Sequence, residues 1–161
     1  MKKRWLCLFV ENEIGVLARI SGLFSGKSYN LDSLTVGTTE DETISRMTIS
    51  LYSDDQLFEQ IKKQLNRTVE VIKVIDYTDL AIHSREIMFL KITGCSESYK
   101  SELFRFAQVY GVTILDFNNS TVLLECVQEE NENDKLIKLL KDRFDRPIKI
   151  VRGGSVAIEV V

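Results

Sequence analysis

The chain is 161 residues long, 44% apolar and 28% charged, with a formal net charge of −3 and a sequence pI near 5.3. That length suits one domain or two small ones, and the apolar share supports a packed core rather than disorder. The acidic balance, with no basic run longer than Lys2-Lys3-Arg4, gives no support to a nucleic-acid surface.

Arg4 to Val10 is an apolar run and is expected to be a central first strand. Its apolar part, Trp5 to Val10, is too short to cross a membrane, and no small-residue cleavage site follows, so a cytoplasmic protein is expected. The polar turn Glu11-Asn12-Glu13 and Gly15 come next. Val16, Leu17, Ile20, Leu23 and Phe24 then recur at helical spacing and predict a helix from about Val16 to Ser25. Strand, glycine turn and helix together aim unpaired first-turn N–H groups at one point, where the helix dipole adds partial positive charge. A free carboxylate can sit there. After Ser25-Gly26-Lys27-Ser28, Asn30 opens the next strand and is expected to point its amide back at the same turn. Alone this is a weak signal. Most such turns bind nothing, Gly15 is explained by a need for positive φ, and Asn12 by capping its own turn.

Leu31 to Val36 reads as a second strand, and residues 37–42 as a polar hairpin connection. Ile44 to Leu51 alternates, with Met47, Ile49 and Leu51 on one face and Arg46, Thr48 and Ser50 on the other, which predicts a half-buried strand. Ser53-Asp54-Asp55 offers an N-cap, Leu57, Phe58, Ile61 and Leu65 a helical stripe, and Val69 to Tyr77 a fourth strand. The order β-α-β-β-α-β is the split ferredoxin-like arrangement, with both helices on one face of the sheet.

Residues 78–84 read as a linker, after which the order repeats. Arg85 to Thr93 is a strand and Ser96-Glu97 a helix start. Tyr99, Leu103, Phe106 and Tyr110 form a stripe closed by Gly111. Val112 to Phe117 and Thr121 to Val127 form a hairpin across Asn118-Asn119-Ser120. Glu129 to Asp134 reads as a solvated loop, Leu136 to Phe144 as a helix, Ile148 to Val151 as a strand and Val156 to Val161 as a further edge strand. The fold class is therefore α+β, two ferredoxin-like βαββαβ domains at 1–77 and 85–161. Only the first carries the glycine turn.

Cys7, Cys95 and Cys126 lie far apart in apolar runs and are expected to be buried and reduced. With His83 the single histidine, zinc is excluded. No nucleophile and base come into reach: His83 sits in the linker, and Glu11 and Glu13 read as solvated, so no enzyme is expected. An RNA-binding module of the same element order would show aromatics on its third strand, where Arg46, Thr48 and Ser50 stand.

The run Asn12 to Asn30, followed by Leu31-Asp32-Ser33-Leu34-Thr35-Val36 and Ser45-Arg46-Met47-Thr48-Ile49, resembles the regulatory small subunit of acetolactate synthase (acetohydroxyacid synthase). Its first domain resembles an ACT domain, the ferredoxin-like amino-acid sensor. Ser84-Arg85-Glu86-Ile87 and Arg152-Gly153-Gly154 are similar to that family's C-terminal domain. The resemblance implies a non-catalytic subunit that activates a thiamine-diphosphate-dependent catalytic large subunit and confers feedback inhibition by a branched-chain amino acid, typically valine. It implies a homodimer through ACT domains, with the effector at their interface. No cofactor is expected on this chain; thiamine diphosphate, magnesium and FAD are expected on the catalytic subunit. Carried over residue by residue, Asn12, Ile14, Gly15, Val16, Leu17, Asn30 and Leu31 form the effector site. Arg46, a strand charge, reads either as a solvated or ion-paired residue or, since arginine is enriched at interfaces, as a contact with the catalytic subunit. Three positions depart from the family pattern: Ser28 stands where glycine is usual, Ile14 where a smaller or polar residue or proline is common, and Glu129 to Asn133 replaces a shorter turn. The alternative is a free-standing ACT-domain sensor regulating a different enzyme.

Overall fold

The computed structural model describes residues 1–25 and 29–161. The elements run β1 (Lys2–Glu11), α1 (Val16–Ser25), β2 (Leu31–Thr38), β3 (Ile44–Ser53), α2 (Asp55–Leu65) and β4 (Val71–Asp76), then β5 (Ile82–Thr93), α3 (Glu97–Tyr110), β6 (Thr113–Phe117), β7 (Thr121–Gln128), α4 (Glu130–Arg143) and β8 (Ile148–Glu159). They build two four-stranded sheets of order β2-β3-β1-β4 and β6-β7-β5-β8. The βαββαβ pattern is present twice. By contacts the chain divides into Met1–His83 with Val156–Val161, and Ser84–Ser155.

In the first unit α1 begins at Val16, where the apolar spacing predicts. Its Val16, Ile20 and Phe24 pack with Phe58, Ile61 and Leu65 of α2 against Leu6, Leu8, Val10, Met47, Ile49 and Leu51 of the sheet. Asp54 caps α2 by accepting from the Leu57 N–H at 2.8 Å, which satisfies an end amide. The strand reading of β3 is corrected in one respect. Its second face is covered too: Thr48 and Ser50 are buried, and beside them Cys7 and Tyr77 pack with Ala157, flanked by Ile75 and Ile82. A neighbouring segment from far along the chain supplies that cover, and strand periodicity carries no trace of it.

In the second unit Ser96 and Gly111 bound α3 as expected, the glycine at φ 64° in the left-handed region. Leu103, Phe106, Leu136, Leu140 and Phe144 cover Met88, Leu90, Val122 and Leu124. Two expectations are corrected. The polar run Glu129 to Asp134 is no loop, since α4 starts at Glu130. Its early acids suit the positive helix end, and Asn133 turns inward, fully buried, to donate to the Glu86 carboxylate at 3.0 Å. The two short C-terminal strands are one continuous strand, β8, whose residues from 156 onward group by contacts with the first unit.

Candidate functional site

The turn between β1 and α1 is held from the side by the hairpin that joins β2 to β3. The Asn12 backbone N–H donates to Thr43 O at 2.7 Å, its Nδ2 donates to Glu42 O at 2.8 Å, and its Oδ1 accepts from Ser45 Oγ at 2.9 Å. Asn12 thus braces the turn, with one lone pair of Oδ1 left over. The hairpin is itself tied by Asp41, whose Oδ1 accepts from Thr43 Oγ1 and N at 2.6 and 2.9 Å, and this holds the Asp41 carboxyl below its usual range. Gly15 sits at φ 88°, a left-handed conformation that an L side chain resists. Its carbonyl accepts from Arg19 N–H at 3.0 Å and so starts the helix. The first turn of α1 carries no acidic side chain to neutralise its amides.

Ile14 is fully exposed at the tip of the turn and Leu17 is 46% exposed. Val16 is buried in the core, and its backbone N–H donates to Glu13 O at 3.4 Å within the turn, a long bond. An open recess of about 550 Å³ adjoins the turn, lined by Glu11, Asn12, Glu13, Glu42, Thr43, Ile44 and Ile72. Glu42, Thr43, Ser45 and Ile72 escaped the sequence reading because they reach the turn only across strands.

Asn30 does not join this group within one chain. Leu31 pairs with Leu51 on β3, and Glu11 pairs with Ile44. The span from Ile44 to Leu51 is roughly 23 Å at about 3.3 Å per residue, so Asn30 and the Gly15 turn lie at opposite ends of the sheet. The expectation that Asn30 points back at the turn is corrected. Strand β2 must run parallel to β1 in this topology, and its start therefore falls at the far end. Asn30 is exposed, while Leu31 packs partly on the core. Ser28 lies outside the described residues.

Arg46 faces the covered side of the first sheet. Its Nε donates to Cys7 Sγ at 3.1 Å, and its Nη2 donates to Tyr77 Oη at 2.9 Å and to the Ala157 carbonyl at 2.6 Å. The guanidinium lies 5.6 Å from the Phe9 ring centroid. Burial pushes the Tyr77 phenol well above its usual range, with the Glu159 carboxylate that it faces adding to the effect. Arg46 is therefore engaged inside the first unit, where it holds the end of the chain. Cys7, Cys95 and Cys126 are free thiols, all buried, and burial raises Cys126 to about 11. Among the described residues no helix is long and apolar enough to cross a membrane, and no three His, Cys, Asp or Glu side chains gather as metal ligands would.

Two βαββαβ units, each a four-stranded antiparallel sheet, one with a glycine turn at a helix start, define an α+β protein of ACT-like domains. Known proteins agree in detail. The AHAS small subunit-like ACT domain profile matches residues 6–73, and that for the small subunit of acetolactate synthase matches residues 85–160. The acetolactate synthase small subunit of Aquifex aeolicus is 37% identical over 158 residues, 98% of this chain and 81% of that one. The isozyme 3 small subunit of Salmonella typhimurium is 37% identical over 158 residues, 97% of this chain and 94% of its own. The crystal structure of the Thermotoga maritima acetolactate synthase small subunit superposes with a TM-score of 0.88 at 28% identity, covering 100% of this chain and 99% of that one. The chain belongs to the acetolactate synthase small subunit family.

Proposed function

We propose that this chain is the regulatory subunit of an acetolactate synthase: it binds the catalytic large subunit, raises its activity, and confers feedback inhibition by a branched-chain amino acid, valine foremost. The observation that carries this reading is the separation of the Gly15 turn from Asn30, at opposite ends of a sheet whose edge strand is β2. One copy offers two half-sites. Pairing two copies about a two-fold axis through antiparallel β2 edges brings Asn30 of one to the turn of the other, giving two equivalent sites per dimer.

In that site the backbone N–H groups around Gly15 and Val16 hold the effector carboxylate, Val16 giving up its 3.4 Å bond to Glu13 O, aided by the helix dipole. The spare lone pair of Asn12 Oδ1 and the Asn30 side chain of the facing copy accept from the ammonium. Ile14, Leu17 and Leu31 close on the apolar side chain. Arg46, engaged within the fold, contributes to catalytic-subunit binding indirectly by fixing residues 156–161. Thiamine diphosphate, magnesium and FAD stay with the catalytic subunit. Effector binding stabilises one dimer arrangement, and the catalytic subunit responds through its preference for another, with a coupling of about 1–3 kcal/mol.

The test is thermal unfolding against valine, leucine and isoleucine, with Asn30→Ala as control. Specific binding stabilises by about 2.7 kcal/mol at a hundredfold excess over Kd, and the gain should vanish in the variant. Monomeric behaviour at micromolar concentration would remove the interface site. Failure to co-purify with an acetolactate synthase large subunit would remove the regulatory assignment.

A further inference from the structure

The helix-free faces of the two sheets differ. On the first, Cys7 and Tyr77 pack with Ala157, flanked by Trp5, Phe9, Ile75 and Ile82. On the second, Ile87, Val127 and Val151 are 41%, 53% and 50% exposed, with Phe89 and Leu123 half-buried and outside the core cluster. These residues are contiguous. Ile87 stands opposite Val127, and Phe89 stands opposite Glu125, which Leu123 and Val127 flank. The Thr93 N–H donates to Pro147 O at one end of β8, and Gly153 lies against Ile87 at the other, so Val151 falls beside Phe89. An antiparallel sheet with one open face ordinarily shows water a polar surface. Here it shows a connected apolar one, the mark of an interaction site.

The charges on this face identify its occupant. Lys91 stands opposite Leu123 and Glu125 opposite Phe89, and neither makes an ion pair among the described residues. Lys149 and Asp116 add one charge of each sign, Asp116 on the β6 residue paired with Leu123. A partner of one sign selects a face of the opposite sign, whereas balanced signs around an apolar centre match a copy of themselves under a two-fold axis. We infer that this sheet face binds the same face of a second copy of the chain, with Lys91 of each copy against Glu125 of the other. The contact is separate from the β2 edge and does not depend on an effector.

The experiment is sedimentation of the full chain over a concentration series. K91E and E125K each place like charges across the contact twice, and each should raise the concentration needed for this association about tenfold. Mixed together, the two variants regain both opposite-charge pairs and should return to the wild-type profile. Val127→Lys, at an exposed position, should weaken the association in the same way and gain nothing from mixing. Wild-type sedimentation of all three variants and of the mixture overturns the inference. So does intact self-association with loss of the large subunit on co-purification, which gives the face to that partner. Effector-dependent stabilisation should persist in all three variants, so failure of the ACT site and failure of this contact are told apart.

Discussion

Asp76 shows how one side chain ties the edge of the first sheet to α2. Its Oδ1 accepts from the Thr78 N–H at 2.9 Å and its Oδ2 from Lys62 Nζ at 2.9 Å. Burial alone would raise the Asp76 carboxyl, but the Thr78 and Lys62 hydrogen bonds outweigh it and the net shift is downward. A depressed folded pKa contributes stability that is present above the unfolded value, about 4, and is lost as pH falls through the folded value. Urea midpoints between pH 7 and 2 should therefore drop more steeply for the wild type than for Asp76→Asn. The variant should start lower at pH 7 and lose less below pH 4. Asn12 teaches the same lesson at the site: its side chain serves the hairpin first, and only the lone pair left over is free for a ligand.

At the scale of elements, α4 begins on a network that no apolar periodicity announces. Glu86, buried on β5, accepts from Asn133 Nδ2 at 3.0 Å and from Arg152 Nε and Nη2 at 2.9 and 2.7 Å. Arg152 also donates to Asp134 at 2.6 Å, which joins the start of α4 to β8. Removing a donor from a buried carboxylate is expensive. Asn133→Ala should cost about 2 kcal/mol in urea unfolding, while Glu132→Ala, one residue away but exposed, should stay within about 0.5 kcal/mol. Helices α1, α2 and α3 were legible because their caps and stripes are local. The first turn of α4 was not, because its reason for folding is a carboxylate on another element.

At the scale of the molecule, the last six residues belong by contact with the first unit. Ala157 closes over Cys7 and Tyr77, its carbonyl accepts from Arg46, and Val160 N–H donates to Ala81 O at 3.1 Å. A chain ending at Ser155 should uncover that face. It should bind a hydrophobic dye more strongly and unfold the first unit at lower urea, and Arg46→Ala in the full chain should reproduce part of the loss. An unchanged urea midpoint in the truncated chain would show that the segment contributes little.

The sequence by itself determined the repeated βαββαβ order, the central place of β1, the start of α1, an N-cap within Ser53-Asp54-Asp55, the caps Ser96 and Gly111, and the glycine turn with its family likeness. Each rests on spacing within a few residues, or on a residue type whose backbone preference is intrinsic. Tertiary structure alone decided that Asn30 stands a sheet's length from Gly15, that Arg46 turns inward, that residues 156–161 cover the first sheet, and that the second sheet keeps an apolar face open. Those outcomes depend on strand direction and on contacts between residues more than a hundred positions apart. Local periodicity records which faces are apolar, and the folded chain decides what covers them.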